Sequence, residues 1–351
     1  MQKNSVANVI DHGAKGDGIS DDTLAFKNAI ASAHHVFIPF SEQGYLISET
    51  LALSKPAIIE GQNKSKIIAS ASLFSVESSD VRISGLDIHM AKAGPGTAAF
   101  YLNTCKSSLE KVYIEHSEVS HAFHMIIDGD HNKNIVVNLH LSDLISWYGR
   151  CTQIMLRDAF AYLFVKNVTI DQARNVGAII DFPFISLANN EGSTFADVHI
   201  NGNGKPAEQG TGAGFFFLNS RAVWITRSMA DTTGGYGFWF DNSHYIYLTD
   251  VVASLNTHGG FVFTGSSYIT GANVIAAGRK GLPEALEYAH GFKLVNSSQA
   301  QITNLSSRSN TGVGLIVSGC SSSILNNILL PNNGSDVLQE NNEKVTIANQ
   351  I

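Results

Sequence analysis

The chain has 351 residues, 44% hydrophobic and 15% charged, with 31 glycines, 7 prolines and 3 cysteines. That composition excludes a disordered polymer, a disulfide scaffold and a collagen-like fibre. With 23 basic against 30 acidic residues, a net charge of −7 and no basic run, the chain lacks a phosphate-tracking stripe, and nucleic acid is not an expected partner.

In chain order, Met1-Gln2-Lys3-Asn4-Ser5-Val6 holds no apolar stretch that reads as a secretory signal. No later window approaches the roughly 18 apolar residues of a membrane span, so a soluble chain without membrane contact is expected. Asp11-His12-Gly13-Ala14-Lys15-Gly16-Asp17-Gly18 is turn-rich, and Ser20-Asp21-Asp22-Thr23 comes next, with acidic residues that suit the first turn of a helix. Leu24, Ala25, Phe26, Ala29, Ile30 and Ala33 then fall at helical spacing. The spacing predicts an amphipathic helix that caps the open end of the rest of the chain; a phosphate loop is disfavoured, because neither the Walker lysine nor Gly-x-Gly-x-x-Gly after a strand is present. Residues 1–35 are expected to form this turn and capping helix.

Residues 36–351 are expected to form one repeating body. Apolar runs open at Gly214, Gly237, Gly260, Gly291 and Gly314, spaced 23, 23, 31 and 23. A second register, Asp250-Val251, Asn273-Val274, Asn304-Leu305 and Asn327-Ile328, repeats the same 23, 31, 23. It extends backwards, more loosely, through Asp197-Val198, Asn167-Val168, Asp143-Leu144, Lys111-Val112 and Gly85-Leu86. Each unit reads as two or three short strands with period-2 alternation, and such a unit cannot bury its apolar face alone. Successive units must stack with parallel pairing, which makes the chain an all-β parallel β-helix of about ten coils. Asn or Asp before the aliphatic residue suits a left-handed turn and offers amides for bonding between coils. The extra residues in 273–304 and the larger excess in 177–214 are expected to be loops on the binding face. A propeller or leucine-rich repeat fits neither the period nor the residues. Cys105, Cys151 and Cys320, without any Cys-x-x-Cys pair, are expected to pack as small apolar residues.

Asp11-x-Gly13-Ala14-x-Gly16-Asp17-Gly18-x-x-Asp21-Asp22-Thr23, followed by a helix and Val36-Phe37-Ile38-Pro39, resembles the N-terminal signature of pectate-lyase-like, right-handed β-helix proteins, phage tailspikes and capsule depolymerases among them. The resemblance implies a right-handed coil, a carbohydrate polymer such as a bacterial capsule, O-antigen or exopolysaccharide as substrate class, a homotrimer, and an extracellular or virion-borne place. It carries over no catalytic residue.

Counting along the registers places Asp128, Asp158, Asp181 and Asp241 in one column. Coils stack about 4.8 Å apart, so neighbouring members of that column match a retaining glycosidase pair and members two coils apart approach the inverting range. Glycoside hydrolysis by paired Asp is the leading reaction, a lyase or epimerase the first rival, and a non-catalytic glycan-binding spike the second. The carboxylates alternatively face solvent or share a structural or substrate-bridging calcium; otherwise no cofactor is expected. Trp239, between inward Phe238 and Phe240, points outward, and Trp224 and Tyr247, 23 apart, stack on the next face. Trp147 and Tyr236 complete the expected substrate-binding aromatics. Arg157, with Arg150, Arg174 and Arg227, is a candidate to neutralise a uronate. The 13 histidines, His124, His258 and His290 included, are read as structural, and no spacing suggests zinc.

Overall fold

The computed structural model describes residues 6–91, 97–103, 109–120, 123–128, 135–147, 152–157, 160–171, 182–203, 205, 211–282 and 288–350. The chain forms two compact units, Met1–Val168 and Thr169–Ile351.

In the first unit the opening segment pairs with the strands that follow it. Val6–Asn8 pairs in parallel with His35–Phe37, and Asp17–Asp21 pairs with Gly44 and Leu46. Between them the helix Thr23–Ser32 buries Thr23, Ala25, Phe26, Ala29 and Ile30, whereas Leu24 is exposed. The helix has no acidic residue in its first turn. The acidic side chains fasten the loop before it: Asp22 accepts the N–H groups of Lys15 at 2.7 Å and Gly16 at 3.1 Å, and Asp21 accepts that of Thr23 at 3.0 Å. Asp17 accepts from the N–H groups of Ser20 and Ile19, which holds its carboxyl down at about 2. Gly16 and Gly18 take φ of 60° and 70°, and a Cβ on Gly16 would lie 2.9 Å from the Tyr45 ring. The signature motif is therefore a loop-and-cap device.

Beyond it the first unit builds two parallel sheets. The first contains Ala57–Ala69, Val81–Met90, Leu109–Glu115 and Ile135–Trp147. The second contains Leu51–Leu53, Phe74–Val76, Ala98–Asn103, Phe123–Asp128 and Ile154–Arg157, aligned Leu51↔Phe74↔Phe100↔Met125↔Ile154.

The second unit repeats the plan. Its first sheet runs through Glu191–Asn201, Arg221–Thr226, His244–Ser254, Ser267–Ala277, Ser298–Arg308, Ser321–Leu329 and Glu343–Gln350. Its second sheet runs through Ile185–Ala188, Phe215–Leu218, Tyr236–Asp241, Gly259–Thr264, His290–Val295, Val313–Ser318 and Ser335–Glu340. All these pairings are parallel, and the strands wind as a right-handed β-helix with the expected helix near its start.

Period-2 alternation sends one set of side chains inward, where identical residues meet between coils. Phe215, Phe238 and Phe261 stack with centroids 4.7 and 4.8 Å apart, and Phe217, Phe240 and Phe263 at 5.0 and 4.9 Å, every pair within 6° of parallel. All six are fully buried, and each contributes about 1.5–3 kcal/mol by burial.

The turn chemistry matches the expectation from the second register. Asp143, Asn167, Asp197, Asp250, Asn273, Asn304 and Asn327 hold φ between 52° and 57°. Their side chains form a ladder: Asn273 donates to Asp250 at 2.7 Å, Asn304 to Asn273 at 2.9 Å and Asn327 to Asn304 at 3.1 Å. On the inner side of another turn Ser220, Ser243, Ser266 and Ser297 pass hydrogen bonds from coil to coil. Cys320 takes the serine position in the next coil, buried and free, with its thiol pushed up by burial. Cys105 and Cys151 lie outside the described residues.

Candidate functional site

The outward faces of the second sheets carry the expected residues. In the second unit Phe238 and Phe240 point inward, which turns Trp239 and Asp241 outward from the same strand. Trp239 aligns with Phe216 on one side and Val262 on the other, and Asp241 aligns with Leu218 and Thr264. The Trp239 ring is half-buried, tilted against Phe216 at 4.9 Å and edge-on to Tyr236 at 5.7 Å. Tyr236 in turn meets His258 edge-on at 5.8 Å, and burial pushes its phenol up. Trp239 Nε1 is buried without a hydrogen-bond partner among the described residues. Lys293 stands one coil beyond Val262 in the Trp239 column. His290 Nδ1 accepts the N–H of Val313 at 3.0 Å, which assigns the ring proton to Nε2, and burial followed by Lys293 lowers its pKa. The half-exposed Asp241 carboxylate makes no hydrogen bond or ion pair among the described residues.

In the first unit Asp128 ends its second-sheet strand and aligns with Asn103 and Arg157. Arg157 donates from Nε at 2.6 Å and from Nη2 at 2.8 Å, and the Tyr101 hydroxyl donates at 2.7 Å. Three donors thus converge on one carboxylate, and the fork of Arg157 is committed to it.

The column of four aspartates does not survive these registers. Arg157 and not Asp158 is the coil neighbour of Asp128. Ala188 and not Asp181 precedes Leu218 and Asp241, because Ile185 pairs with Phe215 and the rung begins well after Gly177. Asp128 belongs to the first unit and Asp241 to the second. Asp158 and Asp181 themselves lie outside the described residues, as do Arg150 and Arg174. Arg227 is paired through both ends of its fork with Asp197, at 2.8 and 2.9 Å.

Three expected aromatics sit on first sheets, away from the Asp241 strand. Trp147 ends Ile135–Trp147 in the first unit. Trp224 and Tyr247 lie on adjacent coils of the second unit, 5.3 Å apart and 7° from parallel. The structure adds a ladder that the sequence registers do not reveal: Tyr113, His140 and Phe164 stack at 4.7 and 4.9 Å, with Arg82 over Tyr113 at 5.1 Å. Its irregular spacing, set by loop insertions, conceals it; the signal available in the sequence is the outward parity of each residue beside the turn register.

With this geometry the chain is a right-handed parallel β-helix, and its first part is similar to pectate-lyase-like proteins. Residues 6–140 match the profile of the family described as rhamnogalacturonase A/epimerase, pectate lyase-like, and residues 184–350 that of the periplasmic copper-binding protein NosD. No curated protein sequence matches the chain. The fold is shared with a family 28 exopolygalacturonase of Yersinia enterocolitica, at 13% identity over 98% of this chain and 78% of that one, TM-score 0.56. It is shared also with PfbA, a surface adhesin of Streptococcus pneumoniae, at 14% identity over 97% and 93%, TM-score 0.54. A third structure is the catalytic unit of a GH87 alpha-1,3-glucanase from Streptomyces thermodiastaticus, at 12% identity over 100% and 69%, TM-score 0.51. None of these three is a tailspike, and that narrower likeness rests on the N-terminal motif. Among the described residues no helix is long and apolar enough to cross a membrane, and no group of three or more His, Cys, Asp or Glu is placed to hold a metal ion.

Proposed function

We propose that the chain is a carbohydrate-active enzyme that binds and cleaves a polysaccharide along the outward face of the second sheet in the Thr169–Ile351 unit, in an extracellular or periplasmic setting. The observation that carries this reading is Asp241: a half-exposed carboxylate without a partner among the described residues, two residues from outward Trp239. An open carboxylate is free to deliver or receive a proton, and an aromatic neighbour gives the apolar face of a sugar ring a surface to lie on. Tyr236 and His258 border the same strand, and Lys293 supplies positive charge in the Trp239 column. The leading reaction is glycosidic hydrolysis with Asp241 as proton donor. Its coil neighbours, Leu218 and Thr264, are uncharged, so a hydrolytic pair needs a second carboxylate from outside this column, and Asp181 is the candidate from the sequence. The bacterial surface glycans implied by the N-terminal motif are the first substrates to test, and the proposal invokes no cofactor.

The absence of a carboxylate beside Asp241 in its own column favours a second reading, a glycan-binding protein without catalysis. Incubation with a panel of capsular, O-antigen and plant polysaccharides, followed by mass analysis and by absorbance of unsaturated sugars, separates the readings. Hydrolysis yields saturated fragments, lost in Asp241→Asn; a lyase yields the absorbing product; intact polymer that remains bound selects the second reading.

A further inference from the structure

We infer that the first sheet of the Thr169–Ile351 unit carries a separate glycan-holding platform, formed by Trp224, Tyr247, Tyr245, Tyr268 and Arg221. It lies on a different sheet from the Asp241 strand, and it rests on the reading that the ligand is a polysaccharide.

Two ring stacks stand side by side on three consecutive coils. Trp224 and Tyr247 form one, 5.3 Å and 7° apart; Tyr245 and Tyr268 form the other, 4.6 Å and 7° apart. The Arg221 guanidinium lies 5.4 Å above the Tyr245 ring. Trp224 is 39% exposed and Tyr268 44%, so the patch is open to solvent.

The fold does not demand aromatic residues here. Tyr245 and Tyr268 occupy a left-handed position, φ 58° and 56°, that other coils fill with Ala222, Gln299, Ser322 and Lys344. A bulky residue in that region is disfavoured. The Trp224 column likewise continues as Thr270, Gln301 and Ile324. Among the described residues of this unit, aromatics fill these two neighbouring columns only on the three consecutive coils of Trp224, Tyr245 with Tyr247, and Tyr268.

The chemistry selects an oxygen-rich ligand. Within each stack the inner ring faces are taken up by one another, so the stacks present ring edges outward. Ring edges carry the positive rim of the aromatic quadrupole, and with Arg221 they form a surface complementary to hydroxyl and ring oxygens. The outer face of Trp224 looks towards the coil of Thr194, a small residue in register with it, which leaves a shelf for the apolar face of one sugar. The two-coil depth of each stack, about 5 Å, suits an extended polymer that crosses several residues.

The test is affinity electrophoresis and array binding of the full chain on immobilised polysaccharides, polygalacturonate and alpha-1,3-glucan included. The double variant Trp224→Ala, Tyr268→Ala is expected to bind the polymer about tenfold more weakly than wild type, a loss of about 1.4 kcal/mol. Arg221→Gln, which leaves every ring in place, is expected to weaken binding about threefold and decides the matter if the double variant fails to fold. Affinity within twofold of wild type in the folded variants overturns the platform and leaves the Asp241 face standing. A wild-type chain that binds none of these polymers overturns both.

Discussion

Replacing Phe240 by alanine tests whether the interior phenylalanines hold neighbouring coils together. The ring is fully buried and lies between Phe217 and Phe263 at 5.0 and 4.9 Å. Loss of a buried phenyl ring with the cavity it leaves costs about 3–5 kcal/mol, of which roughly 1–3 kcal/mol is the two stacked contacts. In a stacked-repeat fold the loss is transmitted to the nearest coils first. Amide hydrogen exchange by mass spectrometry is the appropriate assay, because two compact units need not unfold as one transition. Phe240→Ala should accelerate exchange roughly a hundred- to several-thousand-fold in Phe215–Leu218, Tyr236–Asp241 and Gly259–Thr264, with Ser335–Glu340 much less affected, and Phe240→Leu should recover about half of the loss. Equal acceleration across all seven strands, or a change below about fivefold in the three named, would refute nearest-coil coupling through the rings.

Two further outcomes concern the turns and the interior of the coils. Asn304 combines a left-handed backbone with bonds to Asn273 and Asn327; Asn304→Ala should lower stability by about 1–2 kcal/mol, and Asn304→Gly by less, in matched urea unfolding curves. His124 is buried with Nε2 unpartnered among the described residues, and burial holds its pKa at about 3 against 6.5 for the free side chain. Because the folded form refuses the proton, its contribution is complete above pH 6.5 and declines towards pH 3, by about 2 kcal/mol at pH 5. His124→Gln should flatten that part of the pH–stability curve, and an unchanged slope in the variant would contradict the assignment.

Much of the coil is legible in the sequence because each coil must reuse the same turn. The glycines that open the strands show why: a Cβ on Gly237 would approach Ala253 Cβ and Asn256 Nδ2 to 2.7 Å, so the register shows as a repeated residue type. The Asn column is legible for the same reason, since few residues accept its left-handed backbone. The candidate site is less legible because its residues carry no such constraint. Counting forward from Gly177 assumes a regular rung, whereas the rung begins with Ile185, and the error carries Asp181 into a column that Ala188 occupies. The clamp of Arg157 and Tyr101 on Asp128 is hidden as well, since register counting brings carboxylates together and is blind to the cation between them.

The reading of the second-sheet face is tested most directly by hydroxyl-radical footprinting of the full chain with and without the polysaccharide it degrades or retains. The account predicts that the glycan lowers the oxidation rates of Trp239 and Tyr236 severalfold and leaves Tyr113 unchanged. Unaltered rates at both residues in the presence of saturating glycan would contradict it.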